Sequence, residues 1–154
     1  MGERDIIKDA DENTIDDINI GFIISIALNQ YIRQTDGYLK EINLNMSQTK
    51  VLLTLYDYDG VSIDFLTKKT YMSKSSVTKA VKHLEKKGLV NKEIDEEDNR
   101  KKVITATDKG KQIQKDALEM NFKIEEKLKK ELGNDAIKSM KIQLRDLILI
   151  LDNF

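Results

Sequence analysis

The chain has 154 residues, of which 40% are hydrophobic and 34% are charged, and its formal net charge is −1. This length suits one ordinary domain, and this balance excludes both a disordered chain and a membrane-spanning one. The chain contains no cysteine, which excludes disulfides, thiol redox sensing and thiolate metal sites. Since His83 is the only histidine, we expect no metal and no other cofactor. The absence of proline indicates a helix-rich fold.

The near-neutral net charge hides two segments of opposite sign. Residues 1–20 hold seven acids against two basic side chains, a net of −5, whereas residues 61–92 hold eight lysines against two acids, a net of +6. A local excess of lysine predicts a nucleic-acid partner. The longest charge-free stretch, residues 18–32, is too short to cross a bilayer, and the N-terminus lacks the apolar core of a signal peptide. We therefore expect a cytoplasmic protein with no membrane partner.

In chain order, a polar tail over residues 1–13 precedes a long helix from about residue 16 to residue 41, where apolar side chains recur every three to four residues. Ser47 is the predicted N-cap of a second helix, which the turn residues 57–60 close. Ser62 is the predicted N-cap of a short third helix.

In the second half of the chain, the spacing of apolar residues changes from that of a helix to that of strands and then back to that of a helix. Ser73 is the predicted N-cap of a fourth helix over residues 74–87, with Gly88 as its terminator. Two β-rich runs, residues 89–94 and 102–107, then predict a hairpin with a charged tip. Thr107 is the predicted N-cap of a fifth helix, and residues 133–135 separate it from a sixth. The sixth helix carries an apolar seam at steps of three and four: Ile137, Met140, Leu144, Leu147 and Leu151.

This order predicts a mainly α protein with a small β-hairpin wing: a winged helix-turn-helix with long N- and C-terminal dimerisation helices. We expect an N-terminal tail and dimerisation helix over residues 1–45, a DNA-binding lobe over 46–107 and C-terminal dimerisation helices over 108–154. These three segments are expected to form one continuous globular domain.

The fourth helix is the candidate recognition helix of this lobe. With Val77, Val81 and Leu84 buried, short hydroxyls and lysines fall on the outward side, where they suit phosphates and base edges in the major groove. The alternative is an ordinary solvated lysine-rich face. The candidate DNA-binding residues of this helix are Ser73, Lys74, Ser75, Ser76, Thr78, Lys79 and Lys82.

The tip of the hairpin is the second candidate contact with DNA. Arg100 is suited to a narrow, electronegative minor groove, and Asp98 is placed to orient it through a carboxylate–guanidinium pair. The alternative is an exposed charged loop without a partner. The candidate wing residues are Asp98, Arg100, Lys101 and Lys102.

Five fragments in register resemble the multiple-antibiotic-resistance repressor (MarR) family over about residues 44–110. They are Met46-Ser47-Gln48, Ser73-Lys74-Ser75-Ser76-Val77-Thr78-Lys79, Leu84-Glu85-Lys86-Lys87-Gly88-Leu89-Val90, Asp95-Glu96-Glu97-Asp98-Asn99-Arg100 and Ala106-Thr107-Asp108-Lys109-Gly110. The chain departs from the family pattern at a wing tip rich in acids and at Thr67, where the family often has alanine.

The resemblance implies a homodimer that presents two recognition helices to successive major grooves of a pseudo-palindromic site. The seam of the last helix independently calls for a partner, although packing within one chain is the alternative. The candidate dimerisation residues are Ile18, Phe22, Met140, Leu144, Leu147 and Leu151.

The function implied is that of a sequence-specific regulator of transcription that binds double-stranded DNA, acts as a repressor and is released by a small phenolic or aromatic acid. Four tyrosines are candidates for such an effector cleft or, alternatively, for ordinary packing: Tyr31, Tyr38, Tyr56 and Tyr71. The sequence has no phosphate-binding loop, no dinucleotide fingerprint and no second histidine for a triad, so we expect no enzyme. A winged helix that binds another protein is the remaining alternative, and His83 is expected to be a boundary residue or a phosphate contact.

Overall fold

The computed structural model describes residues 7–94 and 102–154. Two compact units divide the chain, Met1–Leu44 and Asn45–Phe154. Helices dominate both, and the second unit contains one two-stranded antiparallel hairpin. This secondary structure confirms the mainly α class with a small hairpin that the sequence predicts.

The first unit contains a short 3-10 helix, Ile15–Asp17, and the long helix α1, Ile20–Glu41. Asn19 is the N-cap of α1, because its side-chain oxygen accepts hydrogen bonds from the backbone N–H groups of Gly21 and Phe22 at 2.9 and 3.3 Å. The sequence-based start near residue 16 is therefore wrong by about one turn. Helical periodicity extends through this segment, but the cap interrupts the helix itself.

The second unit begins with α2, Met46–Asp57. The side-chain oxygen of Asn45 accepts from the backbone N–H of Gln48 at 3.0 Å, and the Gln48 side-chain oxygen accepts from the backbone N–H of Asn45 at 2.9 Å. This reciprocal capping box satisfies two donors that a helix start otherwise leaves free. The N-cap is therefore Asn45, and the prediction of Ser47 is wrong: Ser47 lies inside the first turn.

Two further helices follow, α3 (Ile63–Thr70) and α4 (Lys74–Lys86). The predicted caps are confirmed, since Ser62 accepts from the backbone N–H of Phe65 at 3.1 Å and Ser73 accepts from that of Ser76 at 3.2 Å. The turn between the helices passes through Tyr71, whose φ of 54° is left-handed. Such a conformation reverses the chain within a few residues, which allows α4 to pack against α3.

The hairpin pairs β1 (Val90–Ile94) with β2 (Lys102–Ala106), with Val90 opposite Ala106. Val61 adds an isolated bridge to β2, because its backbone exchanges hydrogen bonds with Ile104 at 2.8 and 3.2 Å. The Asp59 carboxylate also accepts from the backbone N–H of Ala106 at 2.8 Å. These bonds attach the base of the hairpin to the loop between α2 and α3.

The last two helices are α5, Asp108–Leu132, and α6, Asn134–Leu151. As predicted, Thr107 is the N-cap of α5; its hydroxyl accepts from the backbone N–H of Gly110 at 3.0 Å. The α5 helix packs against α2, where buried Gln114 donates to the carbonyl of Leu52 at 2.8 Å. On the other side, Lys141 of α6 donates to Glu125 of α5 at 2.7 Å. Lys141 and Lys129 hold the pKa of the Glu125 carboxyl below its usual value.

The core of the second unit lies where α2, α4, α5 and the hairpin meet. Its side chains that are least accessible to water are Val51, Leu52, Leu55, Leu66, Val77, Val81, Leu84, Leu89, Val90, Ile104 and Ala117. Across residues 7–94 and 102–154, no helix is long and apolar enough to cross a membrane.

Candidate nucleic-acid interface

The candidate recognition helix α4 is held from beneath by an apolar stripe. The predicted residues Val77, Val81 and Leu84 are at most 2% exposed, and Ala80 joins them at 4%. These side chains pack against α2 and α3, which carry buried residues on the facing sides. Because the stripe fixes the rotation of the helix, its remaining residues face outward.

Three serines form a connected group at the start of α4. The hydroxyl of Ser73 donates to the hydroxyl oxygen of Ser76 at 2.8 Å and lies 3.3 Å from that of Ser75. The Ser76 oxygen accepts this bond, so its own proton stays available to an outside acceptor. All three residues are exposed. This group, at the positive end of the helix dipole, suits a phosphate or a base edge.

Two of the predicted lysines, Lys79 and Lys82, are exposed on the outward side of α4. Lys74 is also exposed, but its ammonium lies 2.7 Å from the carboxylate of Asp64 at the start of α3. An exposed pair of this kind is weak. Asp64 therefore reduces, but does not remove, the positive charge that Lys74 brings to the surface.

Thr78 has a restricted role because its hydroxyl donates to the carbonyl of Lys74 at 2.8 Å. The exposed oxygen then offers only an acceptor, and the methyl group offers an apolar contact. Both suit the major groove, where adenine and cytosine present amino donors and thymine presents a methyl group.

The wing is described only at its base. Lys102, the first residue of β2, is exposed and lies opposite Ile94. Asp98, Arg100 and Lys101 lie outside the described residues, so their contact with DNA stays a prediction.

A cavity of about 370 Å³ lies beside α4, and the sequence analysis did not predict it. The residues that line it come from the start of α2 and from α4: Asn45, Ser47, Gln48, Ser76, Lys79, Ala80 and His83. Sequence periodicity places His83 on the flank of α4, but the shape of the cavity depends on how two helices cross.

The candidate dimerisation residues are mostly accessible in the single chain. Phe22, Met140, Leu144 and Leu151 are between 42% and 55% exposed, whereas Ile18 and Leu147 are half-buried. The sequence analysis missed further apolar side chains exposed on α5 and α6: Phe122, Leu128, Leu132, Ile142, Ile148, Leu149 and Ile150.

A second cavity, of about 360 Å³, lies between the end of α3 and the end of α6. It is lined by Lys50, Thr70, Tyr71, Ile148, Leu151 and Asp152. Tyr71, one of the four candidate tyrosines, therefore lines this cavity. Tyr56 is exposed on α2 and is not among the residues that line it. Within the described parts of the chain, no three His, Asp or Glu side chains cluster as metal ligands do.

A recognition helix on a scaffold helix, followed by a hairpin, defines a winged helix-turn-helix protein. The model of the MarR family matches residues 44–102. These residues form a MarR-family domain, which confirms the resemblance seen in the sequence.

Comparisons with individual proteins agree with this assignment. The HTH-type transcriptional regulator SarZ of Staphylococcus epidermidis is 29% identical over 103 residues, which cover 67% of this chain and 70% of SarZ. The crystal structure of the Staphylococcus aureus MepR–DNA complex has a TM-score of 0.76 at 20% identity, covering 86% of this chain and 96% of MepR.

A crystal structure of a probable transcriptional regulator from Pseudomonas aeruginosa also has a TM-score of 0.76, at 21% identity, covering 85% of this chain and 98% of that chain. At this identity both structures show the fold alone. MarR-family proteins are regulators of transcription and not enzymes, in agreement with the expectation from the sequence.

Proposed function

We propose that this protein is a transcription regulator that binds a pseudo-palindromic site in double-stranded DNA sequence-specifically, as a homodimer. The observation that carries the proposal is the outward face of α4, where three exposed serines, Thr78, Lys79 and Lys82 lie above a buried apolar stripe. Hydroxyls and ammonium groups on one rigid face suit phosphates and base edges together. A cytoplasmic location is part of the same proposal.

The homodimer is supported by the surface of α6. From residue 138 to residue 151 every side chain is exposed apart from that of Leu147, which is half-buried. Most residues in the second half of α6 are nevertheless Leu or Ile, which are normally buried. On an ideal helix Leu144 and Leu149 point to roughly opposite sides, at about 100° per residue. A helix with apolar side chains on several faces is normally buried. A second copy of this chain provides the cover, and it also supplies the second recognition helix that a pseudo-palindrome needs.

The mode of regulation is a further part of the proposal. A dimer bound at an operator excludes polymerase and acts as a repressor, and a small phenolic or aromatic acid releases it. The cavity beside Tyr71 supports the effector, because Lys50 offers a cation for a carboxylate and Ile148 and Leu151 offer apolar walls. Its volume of about 360 Å³ suits a small aromatic molecule.

Selection from a pool of random duplexes tests the proposal. We expect the protein to enrich a site with two related half-sites, and the affinity for that site to fall steeply as salt rises. Random duplex of the same length is the control and should bind far more weakly. A winged helix that serves as a protein-interaction module predicts neither enrichment nor a steep salt dependence. Failure to select any duplex at low salt would therefore reject the function proposed.

A further inference from the structure

His83 has an atom that the isolated chain leaves without a partner. Its Nε2 is inaccessible to water and forms no hydrogen bond, and it is the only side-chain nitrogen or oxygen in that state among residues 7–94 and 102–154. A buried polar atom without a partner loses its hydration and gains nothing in return, so such atoms are rare and call for an explanation.

The cavity of about 370 Å³ that His83 lines is surrounded by hydrogen-bond donors. Lys79 supplies an ammonium group, and Ser47 and Ser76 supply hydroxyls. The capping box engages the side-chain oxygens of Asn45 and Gln48, which leaves their NH2 groups as donors. No carboxylate is among the lining residues. A cavity with this lining selects an anion with several acceptor oxygens.

The position of the cavity indicates which anion. Ser76 and Lys79 belong both to its wall and to the outward face of α4. A duplex seated on α4 therefore brings its backbone alongside the cavity. The opposite wall is the first turn of α2, whose backbone N–H groups and helix dipole also favour a phosphate.

We propose that this cavity seats one phosphate of the DNA backbone in each protomer, with Lys79, Ser47 and His83 as its donors. This inference rests on the function proposed above and adds Ser47 and His83 to the DNA contacts. His83 is half-buried and lines the cavity, so in the tautomer that carries the proton on Nε2 a ring turned toward the cavity would donate to a phosphate oxygen. The complex then supplies the partner that the free chain lacks, and this phosphate fixes the angle of α4 in the groove.

Substitution of single phosphates in the selected duplex tests the proposal. Each phosphate in turn is replaced by a neutral methylphosphonate, and binding is measured for the wild type, His83→Leu and His83→Gln. We expect one position in each half-site at which the wild type loses about tenfold in affinity. His83→Leu should also lose affinity on the unmodified duplex, and at that position the methylphosphonate should cost it less than it costs the wild type, since one of the three contacts with this phosphate is already absent. His83→Gln keeps an N–H donor at a similar reach and should retain most of the affinity.

Ser47→Ala should weaken binding in the same position-dependent way, whereas Ser139→Ala on α6 is the matched control and should have no effect. Equal binding by His83→Leu and the wild type would overturn the proposal. It would equally be overturned if the effects of His83→Leu and the methylphosphonate multiplied at every position, because the two changes would then act independently.

A titration with inorganic phosphate distinguishes a site for a phosphate of the DNA backbone from a site for a free phosphate ion. Titrated against chloride at equal ionic strength, it should shift the NMR signals of the His83 ring only at millimolar concentration. Tight binding of free phosphate, combined with independent effects on the duplex, would identify a free-anion site and contradict the inference. If no duplex is selected at all, the proposed function fails, and the titration still reports separately on the cavity.

Discussion

Lys79 is the residue that joins the outward face of α4 to the cavity beside it. If it contacts a phosphate, Lys79→Ala should lower the affinity for the selected duplex by about tenfold. The slope of log K against log salt should decrease by about one for each protomer bound, because one fewer counterion is released. Lys127→Ala, which removes an exposed lysine from α5, is the control. An unchanged slope would remove Lys79 from the set of phosphate contacts.

Asp64 places a negative charge inside the basic surface, where its carboxylate lies 2.7 Å from the Lys74 ammonium. We expect Asp64→Asn to raise DNA affinity by up to about fivefold and to steepen the salt dependence, because it frees Lys74 and removes a repulsive charge. The thermal stability should hardly change, since both side chains are more than two-thirds exposed.

Asp146→Asn is the matched control, because Asp146 forms a pair with Arg145 on α6 that is also more than half exposed, at the same distance of 2.7 Å. DNA affinity should not respond to it. Weaker binding by Asp64→Asn would indicate instead that the pair positions Lys74 for its contact.

At the scale of the elements, the junction between the hairpin and α5 depends on a close approach of two backbones. Thr107 donates its hydroxyl proton to the carbonyl of Gly88 at 2.7 Å, and its backbone N–H donates to the carbonyl of Leu89 at 3.0 Å. A Cβ atom at Gly110 would lie 2.1 Å from that same Leu89 oxygen. Only a glycine allows α5 to begin this close to the hairpin.

Gly110→Ala should therefore lower the free energy of unfolding by about 3 kcal/mol, because a backbone atom must move to relieve the overlap. Gly37→Ala is the matched control within α1, where the added Cβ meets nothing within 4 Å beyond its chain neighbours and the backbone of its own helix. There we expect a gain of about 0.5–1 kcal/mol, since alanine is the better helix former. Urea denaturation of both variants measures the difference, and an equally stable Gly110→Ala would contradict the predicted overlap.

At the scale of the whole molecule, the exposed apolar surface of α6 determines assembly. Leu144 and Leu151 are 42% and 55% exposed in the single chain, so the pair of substitutions Leu144→Asp and Leu151→Asp leaves the core of the unit intact. Burying the new carboxylates in a dimer interface costs several kcal/mol, so the dimer should dissociate. Sedimentation at micromolar concentration measures this outcome.

Gln143→Asp is the control for the dimer experiment, because it adds a charge to the same helix without removing an apolar side chain. It should remain a dimer. A wild-type protein that sediments as a monomer at micromolar concentration would reject the model of two half-sites bound by one dimer.

Release of DNA by an effector also depends on the whole molecule. A ligand changes the affinity for DNA only if it binds two arrangements of the protein with different affinities. We expect phenolic and aromatic carboxylic acids to lower the affinity for the selected duplex by roughly 5- to 150-fold. Lys50→Ala should reduce this effect, because it removes the cation from the cavity beside Tyr71, whereas Lys127→Ala should not. If no compound acts at millimolar concentration, regulation by the abundance of the protein alone is the better explanation.

The sequence by itself determined the local features of this protein. Ser62, Ser73 and Thr107 were identified as caps because each bonds to a backbone N–H three residues away, so that the signal and the structure lie in one short segment. The buried stripe of α4 was predicted from the helical spacing of its apolar residues, which also lie within one short segment. The cap of α2 was missed because Asn45 and Ser47 are both good N-caps, and only the reciprocal bonds with Gln48 distinguish them.

The tertiary structure decided which of these groups have partners. The pair between Lys74 and Asp64, the close approach at Gly110 and the unpartnered nitrogen of His83 all depend on how separate elements pack, and no local period encodes that packing. The apolar seam of α6 was visible in the sequence, yet only the fold shows that most of it stays exposed in one chain. Local hydrogen bonds and helical periods act over a few residues, whereas burial and charge pairing depend on distances in space between residues far apart in the sequence.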